Sequence, residues 1–210
     1  MIILGLTGSI GMGKTAAAAN FRRLGIPVHD SDQAVHAMMA EGGEAAGIIG
    51  KMFPAAVRHG VVDRQAIAAE VFTDAKALAR IEKVLHHLVR RREKTFLGRC
   101  ARDGRGMVLL EVPLLFETGG EDRCDGVITV SAPSFVQRQR VLGRPGMTPE
   151  RLQSILDRQV PDAEKRKHSD FVILTGLGRD FSLLQIQKIV RVTRQWQGKH
   201  WPPRSIAKGL

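Results

Sequence analysis

The chain has 210 residues, 43% of them hydrophobic and 25% charged, a composition that supports a packed core and excludes a fibrous or disordered polypeptide. It contains no run of about eighteen uninterrupted apolar residues, and Met1 leads straight into a strand-like segment with no basic leader or small-residue cleavage site, so one cytosolic domain spanning 1–210 is expected. A formal net charge of +11 attracts a polyanion, whether nucleotide phosphates, nucleic acid or an anionic surface, and its two cysteines, Cys100 and Cys124, lack metal-ligand or disulfide-framework spacing.

In chain order, Met1 to Thr7 reads as an apolar strand, followed by a glycine-rich turn and a helix from Thr15 to Leu24. Gly25 ends that helix. Ile26 to His29 forms a second strand, which stops at Asp30-Ser31-Asp32, where a new helix can be capped. Residues 33–98 are helical in pattern almost throughout, with breaks at Glu41-Gly42-Gly43 and around Arg58 to Asp63, and read as a helical insertion. Met107 to Val112, Val127 to Val130 and Phe171 to Leu174 are short apolar runs of the kind buried on both faces of a parallel sheet. Between the last two lie a helix from Ser134 to Leu142 and another that Thr148-Pro149-Glu150 starts and that runs to Gln159. Five strands alternating with helices predict an α/β fold with a five-stranded parallel sheet, because parallel neighbours need helical crossovers. Residues 196–210 form a basic, proline-containing tail.

Gly8-Ser9-Ile10-Gly11-Met12-Gly13-Lys14-Thr15 fits GxxxxGK[ST] and lies between a predicted strand and a predicted helix. Glycines let the backbone wrap closely enough to aim its N–H groups at phosphate oxygens, and the helix N-terminus adds a positive dipole end. Lys14 reaches the β- and γ-phosphates as a point charge, and the Thr15 hydroxyl is suited to an Mg²⁺ ion bridging them. The stretch from Gly8 to Ala16 is therefore assigned to ATP.

A phosphate loop alone does not separate hydrolases, switches and kinases. Asp32 follows the second strand, where a carboxylate can take the proton of an attacking hydroxyl, or can cap a helix, a role Asp30 or Ser31 fills equally well. Glu111 is an acid at the end of an otherwise apolar strand; an Mg²⁺ water shell, an acceptor hydroxyl or a salt bridge to an arginine would each satisfy it. Arg138, Arg140 and Arg144 precede Gly146 and a capped helix, which is the pattern of a closing lid over residues 138–150 that brings guanidinium groups onto transferring phosphate. Arg140 and Arg144 are expected on one helix face at i, i+4, whereas Arg138 alone reads as solvated. His86 and His87 sit within the helical insertion without a partner cluster, so no resident metal site is expected there.

Together these segments resemble the dephospho-coenzyme A kinase family. The likeness lies in Gly5 to Thr15, Val28-His29-Asp30-Ser31-Asp32, Asp63 to Ile67 with Val71-Phe72, Leu85-His86, Val112 to Glu117, Arg140 to Arg144 with Met147 to Glu150, and Gln159 to Ile173. Ala16, where a second hydroxyl is usual, and His87, where proline is usual, depart from the pattern. The resemblance implies a three-layer P-loop core, a helical coenzyme A subdomain over 33–98, and a lid. It implies ATP with Mg²⁺, phosphorylation of the 3′-hydroxyl of dephospho-coenzyme A, and Asp32 as the base. It further places Arg64 and His86 with the acceptor, and Arg140 and Arg144 with ATP and the transferring phosphoryl group; Glu111 is grouped with the acceptor-binding residues from its position at the strand end. Beside a purely regulatory nucleotide-binding module, which would bind ATP without turnover, two other classes are weighed against it. A nucleoside or nucleotide kinase would keep the core and change the acceptor; a nucleic-acid-dependent ATPase fits the charge but not the absence of tyrosine and of any recognised DNA-binding motif. The expected partners are therefore small molecules, with neither nucleic acid nor a membrane among them.

Overall fold

The computed structural model describes residues 1–58, 60–63, 66–67 and 75–202. In chain order its elements are β1 (Ile2–Thr7), α1 (Lys14–Arg23), β2 (Val28–Asp30), α2 (Ser31–Met39), α3 (Glu44–Met52), β3 (Val57–Arg58), β4 (Val61–Val62) and α4 (Ala75–Arg102). There follow β5 (Met107–Glu111), β6 (Gly126–Ser131), α5 (Ser134–Leu142), α6 (Pro149–Leu156), α7 (Asp162–Lys167), β7 (Phe171–Leu174) and α8 (Arg179–Thr193). They form two compact units, one of residues 1–29 with 100–210 and one of residues 30–99.

The first unit is built on a five-stranded sheet of order β2-β5-β1-β6-β7, in which β1 pairs in parallel with β5 and β6, and β6 with β7. Every residue of β1, β5 and β6 is buried, so both faces must be covered. One face carries Leu4, Leu6, Leu109, Ile128 and Val130 onto Ala17, Ala18 and Phe21 of α1 and Ile186, Ile189 and Val190 of α8. On the other face, Thr129 donates from its hydroxyl to the carbonyl of Lys165 on α7. The result is the expected three-layer α/β arrangement.

The sequence reading placed no element between Leu174 and Trp196, and none at Asp162–Lys167. The spacing of Ile186, Ile189 and Val190 carries the helical signal for α8, while α7 is too short and polar to declare itself. β2 begins two residues later than expected. The tail is tied down where it is described: Trp196 stacks on Phe171 at 5.6 Å between ring centroids, and the Lys199 N–H donates to Asp125 at 2.5 Å.

The unit of residues 30–99 has its own apolar core of Met38, Ala45, Ala46, Ile49, Phe53, Ala56, Val62, Ala77, Ile81 and Leu88. β3 and β4 form an antiparallel hairpin inside this otherwise helical stretch, pairing Val57 with Val62 across a turn in which Gly60 has φ +75°. Only a residue without Cβ adopts that angle at no cost. An exposed pair between Arg91 and Glu44 links α4 to α3.

Candidate phosphate-transfer site

β1 occupies the centre of the sheet and ends at Thr7, so the loop from Gly8 to Gly13 leaves from the carboxyl edge, where open α/β sheets bind ligands. Gly11 and Gly13 have φ +78° and +94°, and a Cβ on Gly11 would stand 2.5 Å from Cγ2 of Val141. Both the turn and the close packing demand glycine at that position. α1 then starts at Lys14, one residue earlier than the sequence pattern indicates, and its opening N–H groups have no side-chain cap. Such a helix start is a ready anion site.

The sheet register sets Glu111, the last residue of β5, beside Leu6 and so on the α1 side of the sheet. There its Oε1 lies 3.5 Å from the Lys14 ammonium and its Oε2 lies 4.0 Å from the Arg22 guanidinium, with 3% of the side chain exposed. Both cations come from α1. Of the alternatives left open for Glu111, a salt bridge is present, and its first partner is the phosphate-loop lysine rather than an arginine. Thr15 is exposed beside it on the first turn of α1.

Arg140 is anchored rather than free. Its guanidinium donates to the Gly11 carbonyl at 3.3 Å, to the Thr175 hydroxyl at 2.9 Å and to the Thr175 carbonyl at 2.8 Å, while the Thr175 hydroxyl donates to the Met12 carbonyl at 2.6 Å. Arg140 thus joins the phosphate loop to the end of β7. Arg144 does not share a helix face with it: α5 stops at Leu142, Gly143 caps it, and Arg144 lies exposed in the following turn. The residue preceding Pro145 is disfavoured in helical conformation, which is why the i, i+4 relation fails. Past that turn, the Thr148 hydroxyl accepts the Arg151 N–H and caps α6. Its hydrogen bond to Glu150, helped by that residue's own backbone, holds the Glu150 carboxyl below the usual range.

The competition for the second helix start is resolved: Asp30 Oδ1 accepts the Gln33 N–H at 2.9 Å and is the cap, leaving Asp32 exposed in the first turn of α2. His86 and His87 are both exposed on α4. Arg64 lies outside the described residues. Among the described residues no group of three or more His, Cys, Asp and Glu side chains is arranged to hold a metal ion.

A family model described as dephospho-CoA kinase matches residues 2–177. The chain belongs to the dephospho-CoA kinase family. The dephospho-CoA kinase of Paramagnetospirillum magneticum is 57% identical over 166 residues, 79% of this chain and 78% of that one. That of Mesorhizobium japonicum is 50% identical over 198 residues, 94% and 100% of the two chains. Among solved structures, TT1252 from Thermus thermophilus superposes with a TM-score of 0.80 at 36% identity, covering 91% of this chain and 96% of that one. The dephospho-CoA kinase of Campylobacter jejuni, at 20% identity and a TM-score of 0.61, covering 90% and 96%, shares the fold.

Against this member of the dephospho-CoA kinase family, sequence reasoning missed a buried ion pair under the loop that follows β5. Lys165, fully buried, places its ammonium 2.8 Å from Glu117 Oε1 and 3.3 Å from the Pro113 carbonyl, which also accepts the Thr7 hydroxyl at 3.0 Å. Glu117 Oε1 accepts the Val160 N–H at 2.8 Å as well. In Asp162-Ala163-Glu164-Lys165-Arg166-Lys167 the lysine reads as one more solvated charge, and only the fold shows that it points inward.

Proposed function

We propose that this protein transfers the γ-phosphoryl group of ATP to the 3′-hydroxyl of dephospho-coenzyme A, giving coenzyme A and ADP, in the cytoplasm. The observation that carries the reading is the family match over residues 2–177, which includes the phosphate loop at the end of the central strand. Among the described residues no helix is long and apolar enough to cross a membrane.

The bond between the γ-phosphorus and the β,γ-bridging oxygen breaks, a bond from the ribose 3′-oxygen to that phosphorus forms, and the hydroxyl proton leaves to a carboxylate. Asp32, exposed in the first turn of α2, is the base in this reading. The loop N–H groups and the start of α1 hold the phosphates, and the Lys14 ammonium meets the charge that builds on the leaving oxygens. Before ATP arrives Glu111 holds that ammonium in place, so Lys14 is oriented in advance. The Thr15 hydroxyl and the Glu111 carboxylate are hard oxygen donors, the type Mg²⁺ takes, and both stand at the loop end of α1. When bound with ATP, Mg²⁺ neutralises charge on the β- and γ-oxygens. Arg140 fixes the loop through Gly11, and Arg144, in its exposed turn, is the guanidinium available to the transferring group. Arg64 and His86 are assigned to the acceptor.

The test is an ADP-release assay with magnesium-ATP that compares dephospho-coenzyme A with AMP, adenosine and single-stranded DNA, run on wild type and Asp32→Asn. Turnover with dephospho-coenzyme A alone is expected, with kcat lowered about 10²- to 10⁴-fold in the variant. Turnover driven by AMP or adenosine would overturn the acceptor, and stimulation by DNA alone would overturn the kinase reading.

A further inference from the structure

The phosphate loop carries three of its glycines within six positions, and such a backbone loses more conformational freedom on ordering than any other. Something must hold it in shape before a triphosphate is present. At Ile10 the peptide groups on both sides of the Cα are held by side chains. Its N–H donates to Oε1 of Gln159 at 3.1 Å, and its carbonyl accepts from Nε2 of Gln137 at 2.8 Å. A backbone N–H can only donate and a carbonyl only accept, so the two side-chain amides must face the loop in opposite senses. Gln137 is 6% exposed, unusual for an uncharged amide on a helix of this polarity, and burial of its amide is offset only by such bonds.

The two glutamines are also placed meaningfully along the chain. Gln137 precedes, and Gln159 follows, the excursion of residues 138–158 that carries Arg140, Arg144 and α6. Both ends of that excursion therefore hang from one residue of the phosphate loop. Between them lies a cavity of about 470 Å³, lined in part by Ser9, Met12, Gln137, Gln153, Leu156 and Gln159.

We propose that Gln137 and Gln159 are positioning residues that clamp the two peptide groups flanking the Ile10 Cα, preorganising the phosphate loop for ATP and fixing both ends of the excursion to it. They touch the loop backbone and not the reacting atoms. Preorganisation lowers the ordering cost that binding must overcome, so its loss appears in ground-state nucleotide affinity. The proposal rests on the kinase reading only for its kinetic consequence; the affinity and exchange measurements are independent of the acceptor.

The experiment compares wild type with Gln137→Met, Gln159→Met and the double variant, since methionine keeps length and volume while removing the amide. Each lost bond is expected to weaken ATP binding, measured by calorimetry, about three- to tenfold. Because both bonds hold one residue, the double variant is expected to fall short of the product of the two single effects. With dephospho-coenzyme A as acceptor, KM for ATP rises by the same factor while kcat stays within about threefold. Amide hydrogen exchange supplies a readout that helix packing alone would not move. In nucleotide-free wild type the Ile10 N–H is expected to be protected, and in Gln159→Met its exchange quickens about tenfold while the Leu4 and Leu6 amides of β1 are unchanged. Rapid exchange at Ile10 in the nucleotide-free wild type would overturn the clamp even if both variants failed to fold. So would unaltered ATP affinity in folded variants. Wild type that binds ATP but leaves dephospho-coenzyme A untouched would instead count against the function alone.

Discussion

Over its apolar core the unit of residues 1–29 and 100–210 adds polar bonds between residues far apart in sequence, whereas in the unit of residues 30–99 the side-chain hydrogen bonds seen among the described residues join near neighbours, beside an apolar cluster and one exposed ion pair, Arg91 with Glu44. In the first, Thr7 reaches Pro113, Gln159 reaches Ile10, Thr175 reaches Met12 and Lys165 reaches Glu117. In the second, Asp30 caps Gln33, Asp63 accepts the Ala66 N–H, and Thr95 donates to the Arg91 carbonyl, while Ile49, Phe53, Ile81 and Leu88 fill the interior. Hydrogen bonds fix direction as well as distance, and apolar contacts fix little beyond volume. The phosphate-holding unit is built for geometric definition, and the helical unit for a core that tolerates exchange of one apolar side chain for another.

The sharpest way to test that contrast is to remove the charge that meets phosphate. Lys14→Ala is expected to lower kcat about a hundredfold to a thousandfold, measured by ADP release, and also to lower stability, since the buried Glu111 then keeps only the Arg22 guanidinium at 4.0 Å. Preserved activity in this variant would mean that the loop is not where the triphosphate sits. Next comes Lys165→Met, which leaves the Glu117 carboxylate buried without its cation. A destabilisation of about 3–5 kcal/mol is expected in urea unfolding. Adding Glu117→Gln should recover part of it, and a single variant as stable as wild type would show that the pair is not desolvated. In the helical unit, Ile49→Ala removes a fully buried side chain and is expected to cost about 2–4 kcal/mol, whereas Ile49→Leu costs less than about 1.5. ATP affinity of the folded Ile49→Ala protein should be unchanged; a parallel loss would erase the distinction between the two units.

The division also explains what could be read from the sequence. The phosphate loop was legible because its chemistry is local: glycines at set spacing, a lysine and a hydroxyl on consecutive residues, all between a strand and a helix. The strands β1, β5 and β6 were legible because double-sided burial writes an unbroken apolar run, whereas β2 and β7 are mostly half-buried and showed only as short segments. Asp30 against Asp32 was not decidable, since both are acids at a helix start and one residue of register selects the cap. The i, i+4 relation of Arg140 and Arg144 failed because Gly143 and Pro145 end α5 two residues before Arg144. Gln137 and Gln159 left no trace at all. Their partners are the backbone C=O and N–H of a residue 127 and 149 positions away, and nearly every residue has both. Pairs such as Lys165 with Glu117 are hidden for the same reason, because a charge that is buried by the fold has the same letter as one that is not.

One acid in the helical unit supplies the smallest and most specific test. Glu93, on α4, is 4% exposed; burial pushes its carboxyl above the ordinary carboxylate range, and the Arg90 guanidinium opposes the shift without cancelling it. In the unfolded chain the same group titrates in that ordinary range. The folded state therefore holds the Glu93 proton more tightly, and the contribution is fully present below the unfolded pKa and is lost as pH rises through the raised folded value. At neutral pH the protein carries the cost either of charging this buried group or of keeping it protonated, and Glu93→Gln removes that cost while keeping the shape. The variant is expected to melt above wild type at pH 7 to 8, and the gap should close as pH falls below about 4.5. A gap that persisted unchanged in acid would mean that the gain comes from packing, and a variant less stable at neutral pH would mean that the attraction of Arg90 outweighs burial.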